Sequence, residues 1–190
     1  MDEMNNVSRI TTNTCITSDS NETAPAVVPK KTVTIVTFGR FDIFVDGKVV
    51  VFKNRKAKEL IALCIDRMGG IVKMDEAISV LWDSTPYDER AKRRYRKAAL
   101  SAYNTMMEAG ATEVFNKMRG ACYINKNNVE CDLYSYIEGN KDAELSFRGE
   151  YMFDYSWSEK TLGWIISRLR KMDSSGKGGY FDINQYYDDN

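Results

Sequence analysis

Six of the eight residues from Arg90 to Lys97 are lysine or arginine, and none is acidic. Cations packed this densely repel one another along a helix unless solvent or a polyanion neutralises them. Residues placed 100° apart bring Arg90, Arg93, Arg94, Lys97, Ser101 and Asn104 into one stripe. Ala91, Tyr95, Ala98, Ala99, Ala102 and Met106 gather on a separate apolar flank. Arg93, Arg94 and Lys97 point roughly 130° away from the Tyr95, Ala99 and Ala102 side. The plain alternative is a solvated surface. Ser101 and Asn104 argue for more, because both side chains can hydrogen-bond phosphate oxygens or base edges.

Other chemistries find little support. The chain has no histidine, which removes the commonest general acid and base, the Ser-His and Cys-His couples, and the usual zinc ligand. Cys15, Cys64, Cys122 and Cys131 contain no CxxC pair. Cys64 lies in an apolar helical run and reads as a small core residue. Cys122 and Cys131 meet only if the fold brings them together. The GKGG at 176–179 lacks the strand-to-helix setting of a phosphate loop and reads as linker. The expectation is a protein with no enzymatic activity, no cofactor and no bound metal.

Formal net charge is zero over 190 residues, so the basic character is local. Against the cationic run stands 129–160, where Glu130, Asp132, Glu138, Asp142, Glu144, Glu150, Asp154 and Glu159 outnumber Lys141, Arg148 and Lys160. Such segregation points to a local anionic partner rather than general adhesion. With no signal peptide and no apolar run of membrane-spanning length, the expected setting is a reducing cytoplasm without membrane attachment.

The elements that must position the basic helix follow from pattern. Residues 1–31 are rich in Ser, Thr and Asn, lack aromatics, and read as a disordered tail. Strands are expected at 33–38, 41–45 and 48–52, the last two joined by the hairpin turn Asp46-Gly47. Asn54 is a natural N-cap for a helix with Arg55, Lys56 and Lys58 in its first turns. Leu60, Leu63, Cys64 and Met68 form its buried stripe, and Gly69-Gly70 ends it. Ile71-Val72 reads as a short extended link. A second helix runs from about Met74 to Trp82, with Trp82 in the core. The basic helix spans 88–109, and 113–118 with 121–125 form a hairpin whose tip is Arg119-Gly120. The whole is α+β: a helix pair presenting a basic third helix, flanked by an N-terminal antiparallel sheet and a C-terminal hairpin, which is a winged helix-turn-helix.

The blocks TFGRFDIFVDGK, KAKELIALCIDRMGGIV and DEAISVLW, followed by the basic helix and hairpin, resemble the OmpR/PhoB-type winged-helix output domain. The variety resembles the Streptomyces antibiotic regulatory protein family. VECDLYSYIEG and FRGEYMFDYSWSEKTLGWI are similar to the opening of the bacterial transcriptional activator domain of that family. The likeness covers about residues 34–166. With the disordered tail at 1–31 and a flexible tail at 173–190 read from composition, it implies a winged-helix domain at 32–128 and a short activator-like helical segment at 129–172. It also implies dimeric or tandem binding to promoter DNA and recruitment of RNA polymerase.

In that scheme 88–109 is the recognition helix in the major groove, and the hairpin near Lys117 and Arg119 is the wing. Lys53, Arg55 and Lys56 add phosphate contacts. Three features depart from the family pattern. Ala102, Tyr103 and Asn104 stand where a Leu-Arg pair is usual, which moves the arginine contact towards Arg93, Arg94 or Lys97. Lys73 replaces a Ser or Thr cap. Residues 1–31 are shorter than a receiver domain, so the input comes through a partner, a ligand on the C-terminal helices, or abundance. The alternative is a non-catalytic interaction module on the same scaffold, working through Tyr151, Phe153, Tyr155, Trp157 and Trp164. These aromatics serve equally to pack the C-terminal helices onto the rest.

Overall fold

The computed structural model describes residues 31–175; the segments 1–30 and 176–190, including Cys15 and the GKGG stretch, lie outside the described residues. The architecture is mixed α+β, with two small sheets around a central helix. Strands β1 (Val33–Val36), β2 (Asp42–Val45) and β3 (Lys48–Val49) form an antiparallel meander. Asp46 (φ 49°) and Gly47 (φ 75°) take the left-handed conformations that a two-residue hairpin turn demands. β1 stops short of the expected Phe38 for a clear reason. The Thr37 and Phe38 N–H groups donate to the Asp132 carboxylate at 2.9 Å, leaving the ladder. β3 is likewise shorter than 48–52, although the Val50 N–H still donates to the Ile43 carbonyl at 2.8 Å.

Helix α1 (Arg55–Asp66) is capped by Asn54, whose Oδ1 accepts the Lys56 N–H at 3.0 Å. It carries more than the expected stripe, for every residue from Leu60 to Asp66 is buried. Met68 is half-buried and lies past the helix end at φ 55°, followed by Gly69 at φ 81°. The extra burial arises because α1 is covered from two sides. β4 (Val72–Lys73), where a mere link was expected, joins the hairpin β5 (Phe115–Met118) and β6 (Ala121–Ile124) in a second sheet ordered β4-β6-β5. That sheet and the helices α2 (Met74–Leu81) and α3 (Glu89–Ala109) pack on one side of α1.

The other side is closed by the C-terminal segment. β7 (Glu130–Cys131) adds to β1 in parallel, making the first sheet four-stranded and mixed rather than purely antiparallel. Helices α4 (Asp132–Ile137), α5 (Lys141–Ser146) and α6 (Glu159–Ser175) follow. The Tyr134 hydroxyl donates to the Ile65 carbonyl at 3.2 Å, and Tyr151 donates to Asp66 at 2.9 Å. Asp66 also accepts from Arg67 at 2.8 Å, so its buried charge is paired. Phe38 bridges to Tyr151, and Tyr136 donates to the Ile165 carbonyl at 3.1 Å. α6 continues through Ser175, so its last residues overlap the stretch read as tail.

Cys122 faces Cys64 rather than Cys131. The Cys64 and Cys122 sulfurs lie 3.4 Å apart in the core, and Cys131 sits against Asp132. Burial pushes the Cys64 thiol well above its ordinary value.

Candidate nucleic-acid interface

α3 begins at Asp88, whose carboxylate accepts the Ala91 N–H at 2.7 Å, and ends at Gly110 in the left-handed conformation (φ 83°). That hydrogen bond, helped by Arg90 and Arg94 nearby, holds the Asp88 carboxyl below its usual range. The buried residues of α3 are Ala91, Tyr95, Ala98, Ala99, Ala102 and Met106, the flank read from spacing. Alanines there let α3 lie close to α1 and α2 while its opposite face stays in solvent.

The cations of α3 divide into two groups. Lys92 and Arg96 turn to Glu89, at 3.0 Å and 3.9 Å. Hydrogen bonding to Lys92 lowers the Glu89 carboxyl, and the same contact raises Lys92. Arg90, Arg93, Arg94 and Lys97 are exposed and take part in none of the ion pairs found among the described residues. Lys53 and Arg55, exposed at the start of α1, share that condition. Together with Asn54, Trp82, Arg94, Lys97 and Ser101 they line a groove of about 530 Å3 between α1 and α3.

Lys56 lines the same groove but is already committed. Its ammonium pairs with Glu59 at 2.7 Å, donates to the Leu81 carbonyl, and sits 5.9 Å from the Trp82 ring centroid. It ties α1 to the end of α2. Trp82 is half-buried rather than fully in the core, packing inward on one face and forming groove wall on the other. Its apolar neighbours at helical spacing do not reveal that second face.

Asn104 is exposed on α3, outside the groove. On the far flank Lys117 of β5 is held 5.0 Å from the ring centroid of Tyr103, which joins the hairpin to α3. Arg119 stands exposed at the hairpin tip beside Gly120 (φ 75°). The tip is anchored. Lys73 provides no side-chain cap to α2, and the Met74 N–H donates instead to the Gly120 carbonyl at 2.8 Å. Leu100 escaped the sequence reading, although the wheel that placed Arg93 and Asn104 also places it on the solvent face. It is 50% exposed.

The aromatic segment offers less open surface. Tyr151 and Trp164 are buried, and Tyr155 and Trp157 stack at 5.3 Å with Trp157 donating to Glu59 at 3.3 Å. Phe153, 58% exposed, is the aromatic of this group that faces solvent. Among the described residues no cluster of three or more Cys, Asp or Glu could hold a metal ion, and no helix is long and apolar enough to cross a membrane.

No known protein family matches the sequence, and no curated protein does. The fold does have a counterpart among solved structures. It is similar to Mycobacterium tuberculosis EmbR, determined in complex with a low-affinity phosphopeptide, with a TM-score of 0.57 and 16% identity. The likeness covers 72% of this chain and 42% of that one, so this chain spans less than half of the EmbR chain. At that identity the similarity is one of fold.

Proposed function

We propose that this chain is a transcription regulator that binds double-stranded DNA, with α3 in the major groove as recognition helix. The observation that carries the proposal is the set of exposed, unpaired cations, Arg90, Arg93, Arg94 and Lys97 on α3 with Lys53 and Arg55 across the groove. A folded protein with zero formal net charge has acids enough to neutralise these groups internally. It neutralises Lys92 and Arg96 and leaves these six to an external polyanion. The β5–β6 hairpin acts as a wing, with Arg119 and Lys117 against the backbone or minor groove. Similarity to EmbR supports the fold on which this reading rests; the phosphopeptide in that structure carries no assignment here, since the likeness covers only 42% of that chain. Recruitment of RNA polymerase and dimeric or tandem binding complete the reading and rest on the family resemblance; the cytoplasmic setting is carried over from the sequence pattern.

A salt series on duplex DNA with the 190-residue chain tests it. Six or more phosphate contacts give a log–log slope of about −5 or steeper. A flat response would overturn the reading and return the cationic face to solvent.

A further inference from the structure

The solvent face of α3 is not uniformly polar. Measured around the helix axis, Arg93, Lys97, Leu100 and Asn104 lie within about 30° of the line opposite the buried flank. These four therefore form the crest that reaches furthest from the core. Arg94 and Ser101 turn from the crest towards the α1 groove, and Tyr103 towards the hairpin, where Lys117 meets it. A helix seated in a major groove presents its crest to base edges and its flanks to the two phosphate backbones, which long cationic side chains on the crest, such as Arg93 and Lys97, also reach. Three of the crest residues are cationic or amide, as that setting requires. The fourth is leucine, half exposed.

On this face Leu100 stands an i,i+3 or i,i+4 step from Arg96, Lys97 and Asn104, with Tyr103 on the side of the hairpin. A phosphate does not account for it. The floor of the major groove does, because thymine alone among the DNA bases carries a methyl group there. Resting on the DNA-binding proposal above, we infer that Leu100 is a specificity residue that contacts a thymine 5-methyl group. Asn104 reads the N6 and N7 of an adenine within two base pairs of it. The spacing agrees, since four residues of helix rise about 6 Å, the length of roughly two base-pair steps of 3.4 Å. The target class is a duplex with an A·T-containing core rather than a G·C-only one.

The full chain is used to select binding sites from a random duplex library, and each selected thymine is then replaced in turn by deoxyuridine. Loss of one buried methyl-sized group lowers affinity about fourfold, and this is expected at one thymine of the site. Leu100→Ala should bind the thymine and deoxyuridine duplexes equally, while Asn104→Ala keeps the fourfold difference. Leu100 is exposed, so circular dichroism of Leu100→Ala should match wild type. Retention of the thymine preference by Leu100→Ala would overturn the inference. So would a wild-type protein indifferent to deoxyuridine at every position yet bound with a steep salt slope, and in that case the DNA-binding reading survives alone. Failure to enrich any sequence, with a flat salt response, removes both.

Discussion

Two charged grooves flank the start of α1, and they differ in what their cations do. The groove between α1 and α3 holds Lys53, Arg55, Arg94 and Lys97, which no carboxylate in the described fold pairs. The other, of about 720 Å3, lies between α1, β2 and the turn before α6, and Arg55 lines it too. There Arg40 pairs with Asp154 at 2.9 Å, Lys58 with Asp42 at 2.6 Å and Lys56 with Glu59 at 2.7 Å. Similar lysine and arginine content leads to different electrostatics. The C-terminal segment supplies Asp154 to the second groove and nothing to the first. Asp42, Glu59 and Asp154 thus neutralise one face of a protein whose other face remains cationic, and the zero formal charge of the chain conceals the division.

The largest expected effect breaks the open groove. Replacing Arg93, Arg94 and Lys97 together with Ala should leave the unfolding curve nearly unchanged, because exposed like charges add little stability and Ala favours helix. DNA affinity should fall steeply, and the salt slope should become shallower by about three units. A folded triple variant that binds promoter DNA as tightly as wild type would reduce the distinction between the grooves to one of appearance.

How much of this was legible in the sequence varies with the range of the forces involved. The flank Ala91 to Met106 and the caps Asn54, Asp88 and Gly110 are local features, and spacing reveals them. The full burial of α1 is not local, because its second cover comes from Tyr134, Tyr151 and Trp157, far along the chain. A two-residue strand such as β7 has no periodicity to read, and its parallel pairing with β1 spans 96 positions, from Thr34 to Glu130. Within the candidate site, stripe membership was visible but commitment was not. Lys56 and Arg55 look alike in sequence, yet one is tied to Glu59 and Leu81 and the other is free for a ligand.

A second prediction tests whether the C-terminal segment is a structural clamp. Asp132 accepts the Thr37 and Phe38 N–H groups and the Thr37 hydroxyl, the last at 2.6 Å. Asp132→Ala leaves these donors without partners beside the buried Thr37, which should cost about 3 kcal/mol in urea unfolding. The salt slope of the folded variant should stay at the wild-type value. A change in slope without loss of stability would mean that the segment tunes the DNA face instead of holding the core.

Smaller effects are expected at the edges of the open face. Arg119→Ala, at the hairpin tip, should lower the salt slope by about one unit with sequence preference retained. Asp88 and Glu89 shape the start of α3, and both carboxyls sit below their usual range in the fold. Their contribution is therefore complete above the ordinary carboxylate pKa and disappears as pH falls through the lower folded value. Asp88→Asn should lower the melting temperature at pH 7, and the difference from wild type should shrink as pH drops below about 4. A gap that widens in acid would contradict the assigned hydrogen bond to Ala91.

The smallest effect is expected in the paired groove, and its smallness is the point. Arg40 is as cationic as Arg94 and also lines a surface groove, but its guanidinium donates to Asp154 at 2.9 Å. That contact also raises its pKa, the hydrogen bond first and the carboxylate charge second. Removing the charge with Arg40→Gln leaves Asp154 exposed to water, where a lone carboxylate is well solvated, so stability should scarcely move. Counterion release depends on cations that exchange salt ions for phosphate, and Arg40 already holds its counterion within the fold. Its replacement should leave both DNA affinity and salt slope at wild-type values. A loss of one unit of slope in Arg40→Gln would place the paired groove on the DNA as well, and the partition of charge would then be a feature of the free protein alone.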